Sequence, residues 1–119
     1  MDAHATVLIV DEGRARDELG AVLGQAGFAV IVCADAGEAL ATLDARGDVR
    51  VLVADLDLCS LDVAREAQAR RPGLGLVITS GRTRWLNPAE IPGDGCFLPR
   101  PLPVHTLVGE VASAAYRAT

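Results

Sequence analysis

Apolar and polar positions along this chain switch period several times, and the switches mark its elements. Thr6-Val7-Leu8-Ile9-Val10 is apolar at successive residues, rich in β-branched side chains, and stops abruptly at Asp11-Glu12-Gly13. A run apolar on both faces suits a buried parallel strand. From Arg14 to Ala26 the spacing becomes helical: Ala15, Leu19, Val22, Leu23 and Ala26 share a face, and Gly27 is placed to end the helix. Ala29 to Cys33 reads as a second strand. Asp35-Ala36-Gly37-Glu38 has the spacing of a capping box, with Asp35 at the N-cap, and opens a short helix that turns Leu40 and Leu43 to the core and ends near Gly47.

The same alternation continues. Val49 to Ala54 is a third strand with Asp55 at its end, followed by a helix from about Leu61 to Arg70, whose apolar stripe (Val63, Ala64, Ala67) is thin and which Pro72-Gly73 stops. Leu74 to Ile78 is a fourth strand running into Thr79-Ser80-Gly81. Prolines and glycines interrupt residues 82–95, which leaves room only for a short helix at Pro88 to Ile91. Cys96-Phe97-Leu98 reads as a fifth strand before Pro99-Arg100-Pro101. Pro103 to Arg117 has a full apolar face of Val104, Leu107, Val108, Val111, Ala112 and Ala115. Strand–helix repeated five times predicts an α/β domain: a doubly wound, five-stranded parallel sheet with five helices on its two faces. The 119 residues fit one domain over 1–119.

Composition narrows the function. The net charge is −5, from 11 basic and 16 acidic side chains. That disfavours direct nucleic-acid binding, which needs a basic face, and an anionic membrane surface. The apolar runs are too short to span a bilayer, and Met1-Asp2-Ala3-His4 lacks the basic start of a signal peptide, so a cytoplasmic protein is expected. Cys33, Cys59 and Cys96 have neither disulfide nor zinc spacing and are expected as reduced, mostly buried thiols. Cys59 lies close enough to Asp55 to leave a redox role open. His4 and His105 have no partner at ligand spacing and read as surface residues. Trp85 is open between a partner contact and partial burial. Arg14, Arg16 and Asp17 read as a solvated first turn, with Arg14 able to flank the acidic residues.

Ligands of open parallel sheets bind beyond the carboxyl ends of the strands. The residues there are Asp11 and Glu12 after strand one, Asp55 after strand three, Thr79 and Ser80 after strand four, and Arg100 after strand five. Taken singly, each also fits a turn or a strand end; their joint placement points to a site. Clustered carboxylates repel one another, and a divalent cation with oxygen ligands, Mg²⁺, removes the conflict. A carboxylate beside such a cation can act as nucleophile toward phosphorus. The hydroxyls and the guanidinium can take the other phosphoryl oxygens.

These segments resemble the receiver domain of two-component response regulators. The matching stretches are Val7-Leu8-Ile9-Val10-Asp11-Glu12, Val51-Leu52-Val53-Ala54-Asp55, Val77-Ile78-Thr79-Ser80-Gly81 and Phe97-Leu98-Pro99-Arg100-Pro101. The resemblance runs from Val7 to about Ala115. It implies a flavodoxin-like sheet of order 2-1-3-4-5. It implies Asp55 as phosphoacceptor, charged by a histidine kinase or phosphotransfer protein, and a Mg²⁺ ion held by Asp11, Glu12, Asp55 and the backbone carbonyl of Asp57, with Asp11 acting mainly through water. Thr79 would be the switch hydroxyl, with Ser80 and Arg100 as further phosphoryl contacts. Phe97 would be the signalling aromatic, and Arg100–Pro101 a cis peptide. Helix 4, strand 5 and helix 5 would meet an unknown downstream protein, and the domain would not be an enzyme.

Two departures are visible. The family's fifth-strand lysine is Arg100 here, a longer planar fork. It can neutralise a phosphoryl group, or lock onto Asp55 or Asp57 and hold one state. The loop after Asp55 has Cys59-Ser60 and Asp62-Val63 where the family often has Pro-Gly and a later Gly. A degenerate receiver that binds partners without phosphorylation is the alternative these departures raise. A small Mg²⁺-dependent phosphatase-like enzyme, with Asp55 as nucleophile and Asp57 as acid–base, is a third. An output domain is not visible, so the chain reads as a stand-alone regulator or a fragment of a longer protein.

Overall fold

The computed structural model describes residues 5–11, 13–83, 85–93, 95–101 and 103–117. His4 and Glu12, and the side chain of Arg14, lie outside them. Five parallel strands, β1 (Thr6–Val10), β2 (Ala29–Cys33), β3 (Val49–Asp55), β4 (Gly75–Ser80) and β5 (Cys96–Pro99), form one sheet of order β2-β1-β3-β4-β5. The helices are α1 (Gly13–Gln25), α2 (Ala36–Ala45), α3 (Leu61–Arg70) and α4 (Val104–Arg117). Among the described residues between β4 and β5 the only helical element is a 3₁₀ turn, Pro88–Glu90. Five helices were expected, and the described residues form four. The cause is local: Pro92, Gly93 and Gly95 follow the turn at once, and the carboxamide of Asn87 takes the Ala89 N–H at 3.0 Å to cap it. Beside this turn a cavity of about 760 Å³ opens against Gln68, Ala69, Gly75, Leu76 and Ile91.

Local signals form as the pattern predicts. Gly27, at φ 103°, ends α1, with the Phe28 N–H donating to the Leu23 carbonyl and the Gly27 N–H to that of Gly24. Those two bonds are a Schellman cap, which needs the left-handed conformation that glycine adopts without strain. Asp35 accepts the Glu38 N–H at 2.8 Å, and the Glu38 carboxylate reaches back to the Ala34 N–H at 2.9 Å. The side chain of Arg71 donates to the carbonyls of Leu43, Arg46, Gly47 and Val49, which satisfies the otherwise orphaned end of α2.

The core has two halves, one on each face of the sheet. Leu8, Val10, Leu52, Ala54, Leu76 and Ile78 pack with Ala39 and Leu43 of α2 and Ala64 and Ala67 of α3. Val7, Ile9, Val51, Val53 and Val77 pack with Leu23 of α1 and Leu107, Val111 and Ala115 of α4. Strand alternation therefore divides nearly every apolar strand residue between two helix layers. Val49 and Val51 break the rule and lie on opposite halves, because the β1–β3 register slips between Thr6↔Val49 and Val7↔Val51. Val104, expected on the buried face, is exposed; burial on α4 begins one turn later at Leu107. Cys33 and Cys59 are buried thiols, and Cys96 is half-buried. Among the described residues no helix is long and apolar enough to cross a membrane.

Gly75 begins β4 directly beneath α4. A Cβ there would lie 2.7 Å from the Ala114 Cβ and 3.0 Å from its carbonyl oxygen. Gly75→Ala is expected to cost about 1–3 kcal/mol in thermal or urea denaturation. Gly47→Ala, with nothing within 4 Å of its Cβ, should change stability by less than about 0.5 kcal/mol.

Candidate functional site

The chain enters the sheet at β1, steps outward to β2, then crosses to β3 on the other side of β1. This reversal leaves a crevice beyond the carboxyl ends of β1 and β3. Val10 pairs with Ala54, so the residues that follow, Asp11 and Asp55, are neighbours by register. Asp55 in turn pairs with Thr79 of β4, and Ser80 with Pro99 of β5, which brings Arg100 to the same rim. Asp11, Asp55, Thr79 and Ser80 are the buried polar residues at these strand ends. The sheet thus brings Asp11, Asp55, Thr79 and Arg100, from four strands, to one rim. Glu12 lies outside the described residues.

Three carboxylates crowd this rim, and each is managed differently. Asp11, 2% exposed, accepts a hydrogen bond from the Arg100 guanidinium. The same guanidinium nitrogen donates to the Thr79 hydroxyl at 3.2 Å. Asp57 is exposed, and one of its oxygens accepts the Ser80 hydroxyl at 2.8 Å while the other accepts the Gly81 N–H at 2.9 Å. Those two bonds, the Gly81 N–H foremost, hold its carboxyl below the usual range. Asp55 accepts the Asp57 N–H at 2.9 Å. Burial nonetheless pushes the Asp55 carboxyl above its usual value; the Asp57 N–H opposes this, the charge of Asp11 adds to it, and Arg100 partly offsets it. Asp55 is therefore the carboxylate that retains an unmet need for positive charge.

The backbone around Asp55 is firmly tied. Its carbonyl accepts the N–H groups of Leu58 at 2.9 Å and Cys59 at 3.0 Å, and the Leu56 N–H donates to the Thr79 carbonyl at 2.7 Å. The Cys59 thiol points at the Asp55 carbonyl, 3.5 Å away. Burial, with the Asp55 charge behind it, pushes that thiol up to about 11. A thiol so placed is protonated at neutral pH and makes a poor redox centre.

Several expected roles change. Of the two carboxylates Arg100 was expected to lock onto, Asp55 and Asp57, it takes neither: its guanidinium meets Asp11 and the Thr79 hydroxyl. The Asp57 carboxylate is already taken by Ser80 and Gly81. Ser80, expected among the phosphoryl contacts, is turned to Asp57 and accepts the N–H groups of Arg82 and Thr83 at 3.1 and 2.9 Å. Thr79 and Ser80 are successive strand residues and so point to opposite faces. Phe97 is half-buried on the α2–α3 half of the core. Arg100–Pro101 is a cis peptide, as expected. Trp85 is 70% exposed rather than partly buried. Among the described residues no group of three His, Cys, Asp or Glu is arranged to hold a metal. The clasp of Asp57 on Ser80 and Gly81 was missed by sequence reasoning, since no local pattern links residues 23 apart.

No protein-family model and no curated protein matches the sequence. Solved structures do. A response regulator receiver protein from Sinorhizobium medicae superposes with a TM-score of 0.86 at 24% identity, covering 99% of this chain and 98% of that one. The chain has the receiver fold. A CheY-like receiver domain from Methanospirillum hungatei matches at TM-score 0.83 and 20% identity over 98% of this chain and 97% of that one. NtrX from Brucella abortus matches at TM-score 0.85 and 25% identity, over 98% of this chain but 27% of its own, so there a receiver fold is one part of a longer protein. In this receiver fold the rim built from Asp11, Asp55, Thr79 and Arg100 lies at the switch point of the sheet.

Two measurements check this electrostatic account. Because the folded Asp55 carboxyl titrates above its unfolded value near 3.8, its ionisation destabilises the fold as pH rises through that window. Asp55→Asn should therefore raise the melting temperature at pH 7 in EDTA, and the gain should vanish in acid below the unfolded value. An unchanged melting temperature at pH 7 would contradict it. Ser80→Ala removes a hydrogen bond to a charged partner and should cost about 1.5–3 kcal/mol in urea denaturation.

Proposed function

We propose that this chain is a phosphoacceptor receiver domain of a two-component system, with Asp55 as the acceptor. The observation that carries this reading is the Asp55 carboxylate itself: buried at the end of a central strand, oriented by the Asp57 N–H, and short of positive charge. An Asp55 oxygen forms the new P–O bond as the P–N bond of a donor phosphohistidine breaks, and the released imidazole takes a proton. The donor is a histidine kinase or phosphotransfer protein. Arg100 and Thr79 stand at the same rim to receive the added negative charge.

The donor chemistry at the rim suits a hard divalent cation: the carboxylates of Asp11 and Asp55 are oxygen ligands, and the charge of Asp11 adds to the need of Asp55 for a cation. Asp11, Glu12, Asp55 and the Asp57 carbonyl would hold Mg²⁺. Bound there, the ion would neutralise charge on the phosphoryl oxygens. Output passes through protein contacts in the cytoplasm. The face expected for them, helix 4, strand 5 and helix 5, is in this chain the 3₁₀ turn, β5 and α4, with Trp85 and Val104 exposed in that half of the sequence.

The Arg100–Asp11 pair favours a second reading, a receiver that binds partners without phosphorylation, because one proposed metal ligand already has a cation. The phosphatase-like reading is weakened: Asp57, its acid–base candidate, is held ionised by Gly81 and Ser80.

Intact-mass analysis after incubation with Mg²⁺ and acetyl phosphate separates the first two. One added phosphoryl group, absent from Asp55→Asn, is the expected result. No added mass with any donor, small molecule or phosphotransfer protein, leaves the phosphorylation-independent reading.

A further inference from the structure

We propose that Arg100 is a built-in counter-ion that competes with divalent cations for Asp11, so that cation binding and release of the Thr79 hydroxyl become a single event. This rests on the reading of the rim as a cation and phosphoryl site, and deepens it by assigning Arg100 a role that a metal would otherwise have to fill.

The geometry comes from β5. The Arg100 N–H donates to the Ser80 carbonyl at 2.8 Å, which fixes the residue at the end of the sheet. From there its side chain reaches over β4, and one terminal nitrogen serves both the Asp11 carboxylate and the Thr79 hydroxyl. The Asp11 side chain is 3% exposed and that of Arg100 23%. A carboxylate so buried needs a cation close by, and Arg100 supplies it.

A divalent ion entering beside Asp11 meets this charge at close range. A guanidinium does not lose its proton in a protein, so the conflict is not relieved by titration. The side chain has to move. When it leaves Asp11 it also leaves Thr79, because the same nitrogen holds both. The switch hydroxyl would then be free only once the acidic site has taken on its cation.

The test is isothermal titration of the wild-type protein and Arg100→Gln with MgCl₂ alone. Gln keeps a polar side chain and removes the charge. Arg100→Gln is expected to bind Mg²⁺ at least about tenfold tighter, the low end of the coupling measured between close charge pairs. Equal or weaker binding by the variant overturns the proposal. If loss of Arg100 unfolds the protein, far-UV circular dichroism during the MgCl₂ titration decides: metal-driven recovery of the helical signal is expected, and no recovery in millimolar Mg²⁺ overturns it.

A second readout follows the ¹³C-labelled methyl group of Thr79 by NMR. Its resonance should shift when wild type binds Mg²⁺ and should already be displaced in metal-free Arg100→Gln. A methyl signal indifferent to both changes overturns the coupling. None of these readouts uses a phosphodonor. Failure to phosphorylate Asp55 would count against the proposed function and not against this inference, whereas equal Mg²⁺ affinities would do the reverse.

Discussion

The rim of this sheet is shaped by one electrostatic constraint: Asp11 and Asp55 are forced side by side. The β1–β3 register places Val10 against Ala54, and the next residue on each strand is an aspartate. Two buried carboxylates on neighbouring strand ends cannot both be ionised without compensation. Arg100 compensates Asp11, the Asp57 N–H orients Asp55, and Ser80 with Gly81 draws the third carboxylate, Asp57, outward. The loop after β3 and the end of β4 are held by these contacts. Asp55 is the point where compensation falls short, as the upward push of burial on its carboxyl shows.

The rest of the fold serves as a stiff platform for this crowding. Strand residues that alternate between two helix layers lock the register, since a one-residue slip would expose an entire face. Gly75 lets α4 approach the sheet closely, and Arg71 ties the far end of α2 to α3. The platform is thinnest between β4 and β5, where a single 3₁₀ turn stands in for a helix. The exposed Trp85 belongs to the same connection.

Much of this was legible in the chain. The alternation of periods placed all five strands and four of the helices within a residue or two, and the capping box at Asp35 formed its Glu38 arm with only its return bond moved to Ala34. The acidic residues at strand ends were legible because strand termini and polar residues coincide in so short a pattern. The fifth helix does not form because the prolines and glycines at residues 88–95 leave room for no more than a 3₁₀ turn among the described residues. Val104 was misjudged because helical spacing tells which face an apolar residue shares, not how far along that face the core extends.

What the sequence by itself determined is the set of elements, the parallel α/β class and the chemical types gathered at the carboxyl rim. Those follow from contacts within a turn or a strand, where period, caps and breakers act over a few residues. The tertiary structure alone decided which charge meets which. Arg100 and Asp11 stand 89 residues apart, and Asp57 and Ser80 stand 23 apart. Pairings across such distances depend on strand order and on which face each side chain takes, quantities that exist only once the sheet has closed. The acidic residues could be listed from the chain; that one of them is already answered by an arginine, and that this arginine also holds the Thr79 hydroxyl, required the fold.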